Sequence, residues 1–336
     1  MKISRRDFLR LSALGLGSAL ITACGMDEAL LTPDPTAQPT HTHLPPTQVP
    51  PLATATSPSE VLHSMGFDAF EGKVNTYQDE QYLYVESDWM PNHPLMIGIK
   101  SWQQQVPLPQ FYTGNNAWRI LLNPVIADNP VSVKTNLYRG AIALAANGVP
   151  IFNALNNRGD DAYLAGELDE YGGHSGRADD YHYHVAPLHL QDIVGVNSPI
   201  AFALDGFPIY GATEPDGSPM MTLDEFNGHF DANGLYHYHG TNTYPYINGG
   251  MRGIVTVQNE QIEPQPRTQP IRPHLQPLKG AIITDFQELG NESYSLEYQI
   301  DGKKAYVNYC VSGNTYTFEF LDLAGNRTIE TYNRKG

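Results

Sequence analysis

One histidine pattern occurs twice in this chain. His182 and His184 follow His174 by eight and ten residues, and His237 and His239 follow His229 by the same intervals. The later pair of each set lies in a repeated tetrapeptide, Tyr181-His182-Tyr183-His184 and Tyr236-His237-Tyr238-His239. On a β-strand, residues i and i+2 share a face about 7 Å apart. Two imidazoles so placed converge on one point, and a third from a preceding loop completes a three-nitrogen set. Imidazole suits zinc, copper, nickel and iron, and three protein ligands leave one position for water or substrate. Copper or zinc is the expected cofactor. Alternation sends Tyr181, Tyr183, Tyr236 and Tyr238 to the opposite face, where they should pack. Asp169 and Glu170 precede the first set, and Asp224 and Glu225 the second. These carboxylates are candidates to accept the second ring N–H of a ligand and fix its tautomer. His93, in Pro91-Asn92-His93-Pro94, is a further candidate ligand from a loop, whereas His189 in Leu188-His189-Leu190 reads as structural.

Two other functions fit the same residues. In one, the histidines and tyrosines form a purely structural hydrogen-bonded network. An acidic, aromatic-rich face then makes the protein a non-catalytic module for a glycan or peptide. In the other, the turns Asn157-Arg158-Gly159-Asp160-Asp161 and Pro215-Asp216-Gly217 hold calcium in a stabilised scaffold, although few oxygens are in sight where the ion takes six to eight. A metal-activated water implies hydrolysis and copper near tyrosine implies redox work, and the residues alone choose neither. No GxSxG, no phosphate-binding glycine loop and no HExxH motif occurs.

The elements that position these groups are also repeated. Ile142-Ala143-Leu144-Ala145-Ala146-Asn147-Gly148-Val149-Pro150-Ile151-Phe152 matches Ile200-Ala201-Phe202-Ala203-Leu204-Asp205-Gly206-Phe207-Pro208-Ile209-Tyr210 at an offset of 58, and the histidines match at 55. Each segment is an apolar strand, an Asn-Gly or Asp-Gly turn and a second apolar run, which is a hairpin signature. Two divergent copies, about 140–190 and 199–245, predict two halves about a pseudo-twofold axis. Equivalent residues of both copies are expected to meet at that axis.

With Ala203-Leu204-Asp205-Gly206-Phe207-Pro208-Ile209-Tyr210-Gly211 and Tyr244-Pro245-Tyr246, these motifs resemble the YHYH-domain family over roughly residues 90–255. The resemblance implies a secreted or surface-attached protein, often with small accessory modules, and brings no reaction with it. It also implies cysteines in many relatives where Tyr171, Phe226 and Gly250 stand here, so packing or an ion must replace them.

The rest of the chain reads as delivery and support. Ser4-Arg5-Arg6-Asp7-Phe8-Leu9-Arg10 resembles a twin-arginine export signal. The apolar run after it, Leu11 to Ala23, is shorter than the roughly 20 residues of a membrane span. Ile21-Thr22-Ala23-Cys24 resembles a lipobox, with Cys24 as the lipidation site. Residues 1–24 are thus read as a leader and 25–60 as a Pro/Thr-rich tether, with His41 and His43 in solvent. Residues 61–258 are read as the main domain, 259–279 as a Pro-rich linker and 280–336 as a β-module. In that module Tyr294, Leu296, Tyr298 and Ile300, then Ala305, Val307, Tyr309 and Val311, alternate with polar residues. Period two with Asp301-Gly302 and Gly313-Asn314 turns predicts an antiparallel meander of about four strands. The fold class is mainly β, with short helical turns near 187–194 and 222–227. A net charge of −16 argues against nucleic-acid binding. The expected location is extracytoplasmic, on a membrane through the lipid. The partner, whether small molecule or cell surface, is left unassigned.

Overall fold

The computed structural model describes residues 66–87 and 90–334. The leader, Cys24, and the tether with His41 and His43 lie outside the described residues. After a 3₁₀ turn at Phe67–Phe70, strands β1 (Val74–Gln78), β2 (Tyr82–Ser87) and β3 (Trp118–Leu121) form an antiparallel sheet in that order. Strand β4 (Ile126–Ser132) later finds its partner near the end of the domain.

The apolar segment of each repeat then becomes a hairpin. β5 (Ala141–Ala145) turns at Asn147-Gly148 into β6 (Pro150–Phe152), and β7 (Gly173–Ser175) pairs with β8 (Tyr181–Tyr183). The second copy gives β9 (Ala201–Ala203), β10 (Pro208–Tyr210), β11 (Gly228–Phe230) and β12 (Tyr236–His239). These eight strands form one sheet in the order β11-β12-β10-β9-β5-β6-β8-β7. The order is a palindrome of the two repeats. Its axis passes between β5 and β9, where Leu144 faces its own counterpart Phe202, and Ala143 and Ala145 face Ala203 and Ala201. All five residues of β5 and all three of β9 are buried, as a strand covered on both faces requires.

The axis therefore gathers the hairpins and not the histidines. β8 and β12 stand five strand spacings apart, about 24 Å at ~4.8 Å each. The expectation that both histidine sets meet at the axis is overturned. Hairpin pairing uses the most apolar segments at the centre and leaves each Tyr-His-Tyr-His strand near an end.

Between the repeats lie a 3₁₀ turn at Leu188–Leu190 and a short helix α1 (Gln191–Val194), where a helical turn was expected. The other expected turn, at 222–227, is not helical. Asp224 Oδ1 instead accepts the N–H groups of Phe226 (2.8 Å) and Gly228 (3.1 Å), closing a tight bend.

β13 (Gly250–Gly253) returns to β4, and β14 (Thr256–Gln258) and β15 (Gln261–Glu263) make a small hairpin. The Pro-rich stretch that follows is bonded to the domain rather than hanging free of it. Gln265 Oε1 accepts Ala141 N–H (2.8 Å), and the buried Arg272 guanidinium pairs with buried Asp179 (2.6 and 2.9 Å). The C-terminal meander has five strands: β16 (Ile282–Gly290), β17 (Ser293–Ile300), β18 (Lys303–Ser312), β19 (Thr315–Leu321) and β20 (Arg327–Asn333), paired in sequence. Phe286, Tyr294, Tyr309 and Phe318 stack across neighbouring strands on its apolar face. That face covers the main domain. Tyr309 donates to the Pro107 carbonyl, Arg272 lies over Phe318, and Ile283 exchanges backbone bonds with Gly98 and Ile99. Cys310 is buried within β18. Among the described residues no helix is long and apolar enough to cross a membrane.

Candidate metal centres

Each histidine set is built on a two-stranded ribbon. His174 lies directly opposite His182 across β7 and β8, and His229 opposite His237 across β11 and β12. His184 and His239 stand two residues further on and share the face. The first histidine of each set thus comes from a paired strand, not from a loop as expected.

The bends entering the ribbons are equivalent. Asp169 Oδ1 accepts from the backbone of Tyr171 (3.0 Å) and Gly173 (3.1 Å), as Asp224 does in its bend. His184 N–H then donates to the Gly172 carbonyl, and His239 N–H to that of Asn227, both at 2.8 Å. Gly172 and Asn227 hold the left-handed backbone that the bend needs (φ 81° and 63°). Gly173 and Gly228 are glycine for another reason. A Cβ there would collide with the hydroxyl of Tyr181 or Tyr236.

In the first triad, His184 Nε2 lies 3.1 Å from Nε2 of both His182 and His174. The other ring nitrogens are committed outward. Nδ1 of His182 donates to the Asp180 carbonyl (2.9 Å), Nδ1 of His184 to the Asn153 carbonyl (2.6 Å), and His174 bonds the Glu167 carbonyl. A carbonyl only accepts, so the ring protons sit on these outer nitrogens and the lone pairs of three Nε2 atoms face each other. Burial lowers all three imidazoles from the usual histidine range, which disfavours a proton shared among them.

The second triad has the same form with one addition. Nε2 of His239 lies 3.2 Å from that of His229 and 3.1 Å from that of His237. His239 Nδ1 donates to the Gly211 carbonyl (2.9 Å), the counterpart of the Asn153 carbonyl. The addition is Glu214, whose carboxylate lies 3.1 Å from His229, 3.2 Å from His237 and 3.6 Å from His239. Burial works to raise this carboxyl, and the Met221 N–H with the imidazoles outweighs it, so the group is held below its usual range. All four residues are buried.

Both groups fit a metal ion. Nitrogens at about 2.0–2.1 Å from a tetrahedral ion lie roughly 3.3 Å apart, close to the spacings here. His174, His182 and His184 form one group that could hold an ion, and Glu214, His229, His237 and His239 form another.

The carboxylates expected behind the ligands do other work. Asp169 and Asp224 accept the hydroxyls of Tyr181 (2.8 Å) and Tyr236 (2.9 Å), while Glu170 and Glu225 are exposed. The ring N–H groups go to backbone carbonyls instead. His93 is not with either triad. It lies on the tyrosine side, stacked on Tyr171 (4.0 Å), and its Nε2 accepts from the Tyr183 hydroxyl (2.8 Å) while Nδ1 donates to the Pro94 carbonyl (2.9 Å). A loop histidine beside a strand of alternating side chains reaches one face only, and this loop covers the tyrosines. The acidic turns are also spent internally. Asp160 pairs with Arg158 (3.1 Å), Asp161 accepts from Tyr246 (2.8 Å), and Asp216 Oδ1 accepts the Ser218 N–H (2.9 Å).

Glu214 was missed. Its signal was the repeat carried further, since Asn153…Asn156…Gly159 aligns with Gly211…Glu214…Gly217 at the same offset of 58.

Burial pushes the His93 imidazole down to about 4. A histidine depressed in the folded state leaves stability intact above its unfolded value of ~6.5. Stability then falls as pH drops towards the folded value, because only the unfolded chain takes the proton. The stability difference between the wild type and H93Q, from urea unfolding at pH 7, 6 and 5, should shrink by up to about 1.4 kcal/mol per unit below pH 6.5. A constant difference would contradict the buried, neutral imidazole.

Residues 117–220 match the family model described as YHYH protein, a span that takes in the first triad and Glu214 and stops short of His229. Neither curated proteins nor solved structures give a match to the chain. Residues 117–220, with the strand Tyr181–Tyr183 and the following His184 among them, are a YHYH domain.

Proposed function

We propose that this protein is an exported, lipid-anchored metal-binding protein that holds two transition-metal ions, copper or zinc, one in each repeat. The observation that carries the reading is the first triad. Three inward Nε2 lone pairs stand 3.1 Å from their neighbour, with the outer nitrogens tied to carbonyls. Without a cation that arrangement is repulsive, and with one it is a ligand set whose tautomers are already fixed. Nitrogen donors select zinc or copper over calcium or magnesium. In either centre the protein's part is to keep the rings aligned and dry, and a bound ion would supply Lewis acidity or, as copper, electron transfer.

The resemblance of residues 4–10 to a twin-arginine signal and of Ile21-Thr22-Ala23-Cys24 to a lipobox supports an extracytoplasmic, membrane-anchored location, with the Pro/Thr-rich segment as spacer. The Tyr and Asp residues behind each triad give it a rigid support, as a metal site requires and a glycan-binding face does not.

Metal content of H182A and H237A tests the assignment. Each variant is expected to lose one equivalent of copper or zinc and keep the other. Unchanged metal content in both variants would remove the triads as the ligands.

A further inference from the structure

The two centres differ at one pseudo-symmetric position, and the difference decides what each can do. Asn156 in the first repeat occupies the place of Glu214 in the second. The loops around them are superposable in their bonds. Asn156 N–H donates to the Asp160 carbonyl (2.8 Å) as Glu214 N–H does to that of Ser218 (3.0 Å). Gly159 N–H returns to the Asn156 carbonyl as Gly217 N–H does to that of Glu214, both at 2.9 Å. The flanking bridges, Leu155 with Asp161 and Thr213 with Pro219, also correspond.

The side chains diverge. Glu214 reaches over its triad. Asn156 turns away, with Oδ1 accepting the N–H groups of Arg158 (2.9 Å) and Asp160 (3.1 Å) and Nδ2 donating to Glu167 (3.2 Å). Glu167 is the nearby carboxylate, and Arg158 engages it at 2.5 Å. Among the described residues the first triad therefore has three nitrogen donors and no fourth His, Cys, Asp or Glu grouped with them, while the second has three nitrogens and a carboxylate.

His174 is the half-buried member of the first triad. A cavity of about 490 Å³ lies beside the first triad, lined by His182, Asp180, Phe152, Arg177 and Arg267 among others. Arg267 is paired with Glu263 (2.6 Å), which leaves the Arg177 guanidinium to favour a small anionic occupant.

We infer that the centres have divided labour: the second is a closed, structural four-ligand site, and the first keeps an open position for a small anionic ligand. This rests on both triads holding metal, as proposed above. Structural sites with four protein ligands and reactive sites with three plus an exchangeable position differ in this way.

Cobalt(II) loaded into both sites, followed by azide titration, provides the test. Azide is expected to change the visible cobalt bands of one site only in the wild-type protein. N156E should abolish that change while keeping two equivalents of cobalt. Because a new carboxylate beside Glu167 strains the loop, E214Q gives an independent arm, and it should create a second azide-responsive cobalt. Two bound cobalts with no azide response, or a response at both sites of the wild type, would overturn the division and leave the metal reading intact. Failure of either site to take up cobalt would instead strike the metal reading itself.

Discussion

Replacing His239 with alanine is expected to empty the second centre and to lower the melting temperature of the metal-loaded protein by roughly 10 °C. His239 is fully buried (0% exposed), and its Nε2 lies 3.2 Å from that of His229 and 3.1 Å from that of His237. Its removal takes away one ligand and the bond to the Gly211 carbonyl, and leaves Glu214 buried against two imidazoles with no cation among them. Breaking a buried charge cluster by deleting one partner costs about 3–5 kcal/mol, and each kcal/mol moves a domain of this size by a few degrees. The effect should be confined to loaded protein. After chelation the gap between wild type and H239A should narrow, because the wild type has then lost the same cation. A melting temperature unchanged by H239A with metal present would contradict a structural ion there. Calorimetry with and without chelator gives both readings.

The second large effect is expected at Asp205, fully buried (0% exposed) behind the same strand. Its carboxylate accepts the Tyr238 hydroxyl (2.6 Å) and the Gly253 N–H (2.9 Å), and Tyr238 in turn accepts the Arg252 N–H (2.7 Å). D205A leaves a hydroxyl and an N–H buried without acceptors, at about 1–3 kcal/mol each. Roughly 3 kcal/mol of destabilisation in urea unfolding is therefore expected. The other repeat shows why D205N should not be neutral. There Asn147 donates to the Tyr183 hydroxyl (3.0 Å), and that hydroxyl passes its own proton to His93. Asp205 accepts with both oxygens, Oδ2 from Tyr238 and Gly253 and Oδ1 from the Phe207 N–H (3.3 Å). Asn has one acceptor oxygen, so it either sets its NH2 against the Phe207 N–H or leaves the Tyr238 proton without an acceptor, a cost of about 1 kcal/mol or more. D205N as stable as wild type would show that the second acceptor does not matter.

The repeat made much of this legible. Apolar runs flanking Asn147-Gly148 and Asp205-Gly206 state two hairpins. The equal spacing of His174, His182 and His184 with the second set states two triads. Period-two alternation states both the meander and the tyrosine face. What escaped depends on contacts distant in sequence. The palindromic order follows from β5 pairing with β9, and nothing local to either strand says so. Glu214 was hidden because its counterpart is Asn156, so the position shows no shared chemistry. His93 could not be sided, because a loop residue carries no alternation. The Gly before each first histidine looked like turn chemistry, and its cause is the tyrosine ring packed against it.

Elemental analysis of the folded, natively exported protein bears most directly on the two imidazole centres. Two equivalents of copper or zinc per chain are the expected result, with no calcium requirement for stability. A folded protein that carries no transition metal, and whose melting temperature does not respond to a chelator, would contradict the account and leave the histidines as a structural network.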